Sequence, residues 1–515
     1  MVDSRTLNPR TPVVIGVGQS VDRIDSPSYK TWAASDVAAA AAQAAFENTT
    51  RADAVRSAIG AIVAVRTFED TGRPSPFGKT ANFPRSIAKR LGINPGYALW
   101  TKAGGNTPGD MMIEFSQRIY DGEFEVALLC GAEGISTVRN AHAQGKSLNF
   151  AEDPGGQVED RGSGLEELRD PLLTRHGVLG APISYALAEN ARRHRLGLSK
   201  QDYAARMGRL FEPFARVAAA NPYSSWAVPA FSATQLLEPG KSNRWIADPY
   251  PLRLVARDQV NQGAAVIVAS LAAARAMGVP EENFVYLHGY AKAAEKRLLA
   301  RPDIGASPTA HAAVRAALKG ADTTVDDIAL FDFYSCFPIA VANVVIDELS
   351  LKEDDPRGFT VTGGLPFFGG PGNNYSMHGI AEMAGRLRRQ PGKKGFVGAN
   401  GGTLGKYSAG VYSTQPRDWT EQPSTDLQAA LDAVPSPAID DSHTGPVTVE
   451  TYTVVHSKTG PQYAVAVGKN AAGRRVIART PEGDTKAAAH VHEADFLGRR
   501  IEVAAQGDIN VFQVA

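Results

Sequence analysis

The chain has 515 residues, with 54 Lys+Arg against 54 Asp+Glu, 43% hydrophobic and 21% charged residues. This is the composition of a globular protein long enough for several domains of roughly 100–200 residues each, and its balanced charge leaves no basic footprint for nucleic acid. The polar start Met1 to Pro12 lacks the apolar core of a signal peptide, and no run approaches the roughly 20 apolar residues of a membrane span, so a cytoplasmic protein is expected.

Short, near-continuous apolar strands alternate with alanine-rich helices in the first half. Val13 to Val17 predicts a strand, Ser35 to Phe46 a helix opened by Ser35-Asp36, and Ile59 to Val65 a second strand. Thr107-Pro108 reads as a helix start, since proline suits the first turn. Residues 136–243 are more polar, helical from Ala186 to Arg195 and from Lys200 to Ala219, and read as an excursion from the core. Their cluster Arg192-Arg193-His194-Arg195 fits either a phosphate-binding patch or a solvated helix face.

The same order returns in the strand Phe284 to Tyr290, the helix Pro308 to Leu318, the segment Thr323 to Asp327 and the strand Ile328 to Phe333. It suggests an internal duplication, with parallel sheets covered on both faces in a layered α/β fold. A helix is expected over Tyr375 to Arg388. Gln415 to Thr444, rich in Pro, Asp, Ser and Thr, reads as a linker with one short helix, Asp426 to Val434. The chain then turns all-β: Pro446 to Val455, Gln462 to Val467, Arg474 to Ala478, Arg500 to Ala504 and Ile509 to Val514 predict short strands separated by turns such as Gly460-Pro461, which fits a small barrel. The predicted division is 1–257 for the first half, including the loop domain at about 136–243, then 258–414 for the second half, 415–444 for the linker and 445–515 for the barrel.

Of the two cysteines, Cys130 and Cys336, neither lies in CxxC spacing, so no disulfide framework or metal site is expected and both thiols should be reduced. Five further segments carry a stronger signal. They are Leu128-Leu-Cys-Gly-Ala-Glu133-Gly-Ile-Ser136, Arg257-Asp-Gln-Val-Asn261-Gln-Gly263-Ala264-Ala265, Tyr334-Ser-Cys-Phe337, Gly363-Gly364-Leu-Pro-Phe-Phe-Gly369-Gly370-Pro371 and Gly398-Ala399-Asn400-Gly401-Gly402-Thr-Leu-Gly405. In this order they resemble the AGGxESMS, SGINDGAA, NEAF or HDCF, GHP and CxGGGxG motifs of thiolases. With the extra C-terminal domain, the chain is similar to the thiolase-like proteins of type 1, whose added domain resembles an oligonucleotide/oligosaccharide-binding (OB) barrel.

The resemblance implies a duplicated α-β-α-β-α thiolase fold with an inserted loop domain, and coenzyme A or an acyl-CoA as ligand. It also implies three losses. A thiolase needs a cysteine thiolate at a helix N-terminus, a histidine base and a second cysteine, because acyl transfer passes through an acyl-enzyme. Gly105, Gly370 and Ala399 match those positions, so ordinary acetyl-CoA acetyltransferase turnover is not expected. The backbone N–H groups of Gly105 and of Gly401 or Gly402 match the oxyanion hole, Tyr334 the residue that holds the oxyanion-stabilising water, and Asp258 a serine on the pantetheine arm. Asn261, Gly369, Pro371 and Asn400 complete the candidate substrate contacts.

Two side chains could restore chemistry. Cys336 serves as nucleophile or proton carrier with His378 as its base, or else Cys336 is a packed thiol and His378 packs its helix. Three functions remain open on the sequence: non-standard acyl-thioester chemistry, non-catalytic CoA binding, or a scaffold that recruits a protein partner through its C-terminal domain. The resemblance leans toward a monomer; no metal and no nucleic acid are expected.

Overall fold

The structure is a computed structural model that describes residues 4–72, 74–168 and 170–513. Its first sheet has six strands in the order Pro12–Val21, Asn261–Ser270, Val126–Gly134, Ala61–Ala64, Tyr97–Trp100, Glu159–Asp160. Alternating side chains explain its place in the middle of the molecule. Ile62, Ala64, Leu128 and Cys130 join one core with the helix Ala34–Asn48, while Ala61, Val63, Ala127 and Leu129 join the opposite one. Strands buried on both faces read as continuous apolar runs, as this sequence does.

The sheet is mixed rather than parallel. Its inner strands pair in parallel, but Asn261–Ser270 runs antiparallel to both Val126–Gly134 and Pro12–Val21. That strand lies beyond the predicted 257/258 boundary, yet it belongs to the first sheet, where all ten of its residues are buried. The chain therefore returns from the loop domain into the first half before starting the second.

The second sheet has the order Ile328–Phe333, Lys394–Gly401, Lys406–Ser413, Tyr286–Ala294, again with one parallel pair and two antiparallel ones. Helix Pro308–Gly320 covers its outer face, and helices Thr107–Tyr120 and Tyr375–Arg389 fill the layer between the sheets. The residues that do so, Met111, Phe115 and Ile119 on one helix and Met377, Ile380, Ala384 and Leu387 on the other, follow three- and four-residue spacing. The layers run α-β-α-β-α.

After the linker, strands Gly445–Ser457, Gly460–Lys469, Arg475–Arg479, Arg500–Gln506 and Ile509–Gln513 close a barrel in the order first, second, third, fifth, fourth, first. This is the five-stranded Greek-key arrangement of the OB fold. Val514, the expected end of the last strand, lies outside the described residues. One element was not expected: helix Thr485–Glu493 interrupts the all-β segment, capped by Asp484 and burying Ala488 and Val491. Its apolar spacing is too short to stand out against the neighbouring strands.

The barrel is fixed to the rest of the protein by buried cations. Arg193 is bidentate to Asp495 at 2.7 and 2.9 Å, and Asn190 donates to the Tyr452 carbonyl at 2.9 Å. Arg192 is bidentate to Asp347, and Arg195 binds Asp303 and Asp347. The three arginines are thus bound by carboxylates and do not form the open phosphate patch that their clustering allowed. Arg475, 1% exposed, binds Glu450 and donates to the Leu299 and Arg301 carbonyls, joining barrel to second half. Among the described residues no helix is long and apolar enough to cross a membrane.

Replacing Arg475 leaves the Leu299 and Arg301 carbonyls without this donor and Glu450 with Lys469 as its remaining partner, so Arg475→Met is expected to cost about 3 kcal/mol in denaturant unfolding. Amide exchange should rise first in the barrel strands; unchanged exchange there would show that this joint does not hold the barrel.

Candidate functional site

Gly105 sits in the turn that opens helix Thr107–Tyr120, with Pro108 in the first turn as the sequence suggests. The Gly104 N–H donates to Asn373 Oδ1 at 2.9 Å, and the Gly105 carbonyl accepts from Ser376 Oγ at 2.7 Å. A Cβ added at Gly105 would lie 2.5 Å from the Asn400 carbonyl and 2.5 Å from the Tyr334 ring and hydroxyl. Real Cβ atoms do not approach other atoms so closely, so position 105 is closed to a side chain.

Tyr334 reaches this place from the end of strand Ile328–Phe333. Its N–H donates to the Gly398 carbonyl at 2.9 Å, and its ring meets Tyr375 edge-on at 5.4 Å. The structure thus brings Gly105, Tyr334, Asn400 and Gly401 together. A Cβ on Gly401 would touch Asn106 Oδ1 at 2.0 Å, so the two segments meant for the backbone oxyanion hole abut. Ala399, on the same strand, is buried, and its Cβ lies 3.6 Å from the Cβ position of Gly109.

Tyr185, a loop-domain residue for which the sequence carries no signal, enters the same region. Its hydroxyl accepts from Asn400 Nδ2 at 2.6 Å and donates to the Gly402 carbonyl, while its ring stacks on Phe337 at 4.4 Å. Asn400 Oδ1 is buried without a partner. Cys336 Sγ lies 4.0 Å from Asn400 Nδ2, and burial pushes its thiol up to about 12. Such a thiol is not a ready nucleophile.

His378 does not join Cys336. Its Nδ1 pairs with Gln19 Oε1 at 2.8 Å, its ring meets Phe368 edge-on, and burial pulls its pKa down to about 3. The proposed thiol–imidazole pair is therefore not formed, and His378 packs its helix.

The glycine loop is closed by the protein's own chain. Gly369, at φ +130°, could not hold a Cβ without meeting Gln262 Oε1 at 2.2 Å. Gly370 donates to the Arg257 carbonyl at 2.7 Å, with Leu365 and that carbonyl 3.2–3.3 Å from where its Cβ would stand, so a side chain there would be tightly held. Ser225 N–H donates to the Phe368 carbonyl and Trp226 Nε1 to the Phe367 carbonyl, both at 2.8 Å. Pro371 starts the turn that leads into Asn374. Trp226 and Ser225 come from the loop domain, where long-range contacts leave no mark in the sequence.

Two expected substrate contacts fare differently. Asn261 is buried with both polar groups used, donating to the Asp22 carbonyl at 2.8 Å and accepting from the Thr137 N–H at 2.9 Å, so it holds the fold and not a ligand. Asp258 is partly exposed and pairs with Arg139 at 3.5 Å. Arg139 lies on the rim of a cavity of about 240 Å³ that also meets Glu69 and Glu133. Among the described residues no group of three or more His, Cys, Asp and Glu is placed to hold a metal.

This duplicated, five-layered architecture with glycine loops facing a helix N-terminus defines a thiolase-fold protein. The sequence model of the thiolase-like protein type 1 additional C-terminal domain matches residues 426–508. A monomeric SCP2-thiolase like protein type 1 from Mycobacterium smegmatis is 41% identical, with 99% of this chain and 100% of that one covered and a TM-score of 0.85. The chain belongs to this family of thiolase-like proteins of type 1.

More distant structures share the fold. Human mitochondrial 3-ketoacyl-CoA thiolase is 18% identical over 79% of this chain and 100% of its own, with a TM-score of 0.55. The Ltp2-ChsH2(DUF35) aldolase is 18% identical over 79% and 98%, also at 0.55. No curated protein matches the chain.

Closure at position 105 has a direct test. Gly105→Ala is expected to destabilise the protein by about 1–3 kcal/mol in urea unfolding, the usual cost of overpacking; a variant as stable as the wild type would mean the gap is open. Cys336 should resist iodoacetamide at pH 8 in the native protein and react on unfolding; rapid native labelling would contradict its buried, protonated state.

Proposed function

We propose that the protein binds coenzyme A or an acyl-CoA on its thiolase frame without passing an acyl group through a cysteine. The observation that carries this reading is the closed position 105, where the Tyr334 ring and the Asn400 carbonyl stand in the space a cysteine needs. Cys336 offers no substitute, because its thiol is held protonated and His378 is engaged elsewhere. Acetyl-CoA acetyltransferase turnover of the ordinary kind is therefore absent.

Acyl-thioester chemistry on this frame relies on backbone donors at Gly105 and at Gly401 or Gly402, each worth about 10² to 10³ in rate when aimed at a developing oxyanion. Tyr334 and Asn400 are the polar side chains beside them. Asp258, Gly369 and Pro371 are the remaining candidate contacts for the thioester arm. Two points support CoA as the ligand: human mitochondrial 3-ketoacyl-CoA thiolase of the same fold is solved in complex with CoA, and the Asp258–Arg139 pair offers a partly exposed guanidinium at the position matching the pantetheine contact. A monomer fits the M. smegmatis relative, described as monomeric, and the Glu159–Asp160 strand pairing with Leu99 and Trp100; a cytoplasmic location belongs to the same proposal.

A second reading is a non-catalytic scaffold that recruits a protein partner through the C-terminal domain. The filling of both glycine loops by Tyr185 and Trp226 favours it.

Calorimetry and thermal shift with CoA and acetyl-CoA separate the two. Saturable heat with stabilisation is expected, and no response at millimolar ligand leaves the scaffold. Thiolysis of acetoacetyl-CoA should be absent and unaffected by Cys336→Ser; turnover in the range of about 1 to 10³ s⁻¹ contradicts both readings.

A further inference from the structure

The joint between the C-terminal barrel and the loop domain holds two imidazoles and an indole against one another. His456 lies near the end of strand Gly445–Ser457 and His492 on helix Thr485–Glu493, and their rings meet edge-on at 4.7 Å. Trp245 meets His492 at 5.1 Å and His456 at 6.2 Å. It stands on the short strand Trp245–Ala247, which leaves the loop domain and pairs with the barrel through Ala247 and Val455. Asp248 follows, 4% exposed, and ties the parts together: its N–H donates to the Val454 carbonyl at 3.0 Å, and its own carbonyl accepts from Asn190 Nδ2 and Thr453 Oγ1. Lys200 donates to the Asp248 carboxylate at 3.0 Å and to the His492 carbonyl at 2.7 Å.

The two imidazoles differ in what a proton would meet. His492 Nδ1 stands 3.5 Å from Asp248 Oδ2, so a proton there faces a carboxylate. His456 Nε2 is buried with no hydrogen-bond partner. A neutral ring accommodates this by carrying its proton on Nδ1 and leaving Nε2 a bare acceptor. An imidazolium cannot, because its second N–H is buried without an acceptor. The charged groups around the ring do not offset that. His492 adjoins it on the helix, Arg244 precedes Trp245, and the Asp248 carboxylate is already bound by Lys200. Asp495, just beyond the helix, is bound by Arg193.

We propose that this joint is an acid-sensitive latch, in which a proton on His456 loosens the barrel from strand Trp245–Ala247 and the loop domain. Closed, the joint holds His456 neutral against His492 and Trp245; open, the ring reaches water and takes its proton. Asn190, which binds the Asp248 and Tyr452 carbonyls across the joint, lies on the helix whose Tyr185 holds the Gly402 carbonyl. The latch therefore bears on the 401–405 turn as well as on the barrel. It does not depend on the function proposed for the Gly105 region.

The direction with pH follows from the ring's surroundings. Burial pulls the His456 pKa down to about 4, with His492 and Arg244 adding to the fall and Asp248 opposing it. Opening returns the ring to its ordinary value of about 6.5. A base whose pKa is lower in the closed state binds protons better in the open one. The latch thus keeps its full strength above about pH 6.5 and loses it as pH falls toward about 4, with an opening equilibrium that grows on the order of tenfold from about pH 7 to about pH 5.

Amide hydrogen exchange of the full chain at pH 7 and pH 5, corrected for the intrinsic pH dependence of exchange, tests the latch. Amides of Trp245–Ala247 and of residues 451–457 should open on the order of tenfold more at pH 5, while strand Val126–Gly134 stays unchanged. His456→Phe keeps a ring without a proton site and His456→Gln keeps a polar group without a charge; each should lose this difference while the variant still melts cooperatively. In the wild type, the His456 ring resonance should titrate below about pH 5. Equal corrected exchange at the two pH values, a rise shared by strand Val126–Gly134, a His456→Gln variant that keeps the pH dependence, or a wild-type His456 that titrates at its ordinary value would each overturn the proposal.

Discussion

The contact of Gly105 with the Tyr334 ring and the Asn400 carbonyl sets the conditions for the whole central region. With no Cβ at 105, the turn before helix Thr107–Tyr120 sinks against strand Lys394–Gly401, and the space a side chain would need becomes a packing contact. Close packing makes such an exchange cooperative: once Tyr334 stands there, a side chain at 105 has nowhere to go. The neighbouring loops are packed in the same way. Gly370 sits tightly between the Arg257 carbonyl and Leu365, and Tyr185 and Trp226 tie the two glycine loops to the loop domain.

The barrel and the loop domain reinforce this arrangement from outside. Arg193 and Asn190 connect the loop-domain helix Ala181–Arg195 to the barrel, and Tyr185 on the same helix reaches the 401–405 turn. Arg475 ties the barrel to the second half. One helix therefore links the added domain to the 401–405 turn. Buried, hydrogen-bonded ion pairs resist loss of either partner, which makes this link stiff.

The layered fold was legible because its signals are local or periodic. Apolar strands, the Thr107-Pro108 helix start and the order of the glycine motifs all survive in a single sequence. The barrel was legible too, from short strands separated by turn residues, except for helix Thr485–Glu493, whose nine residues give little periodicity. The strand direction of Asn261–Ser270 was not legible, because a run buried on both faces looks alike in parallel and antiparallel sheets. In the site, motif order led the sequence reading to positions 105, 370 and 399. The side chains packed against the two glycine loops could not be read this way: Tyr185 reaches Gly402, Trp226 reaches Phe367 and Gln262 reaches Gly369 from elsewhere in the chain, and the Cys336–His378 pairing failed because each side chain found a nearer partner.

The central claim, that Tyr334 occupies the space of a nucleophile at 105, is tested most directly by a double-mutant cycle of Gly105→Cys and Tyr334→Ala in denaturant unfolding. If the two side chains compete for one space, the double variant is more stable than the sum of the single changes implies, with a coupling of about 1 kcal/mol or more. Additive effects would contradict the account, because they would show that a side chain at 105 and the ring of Tyr334 do not meet.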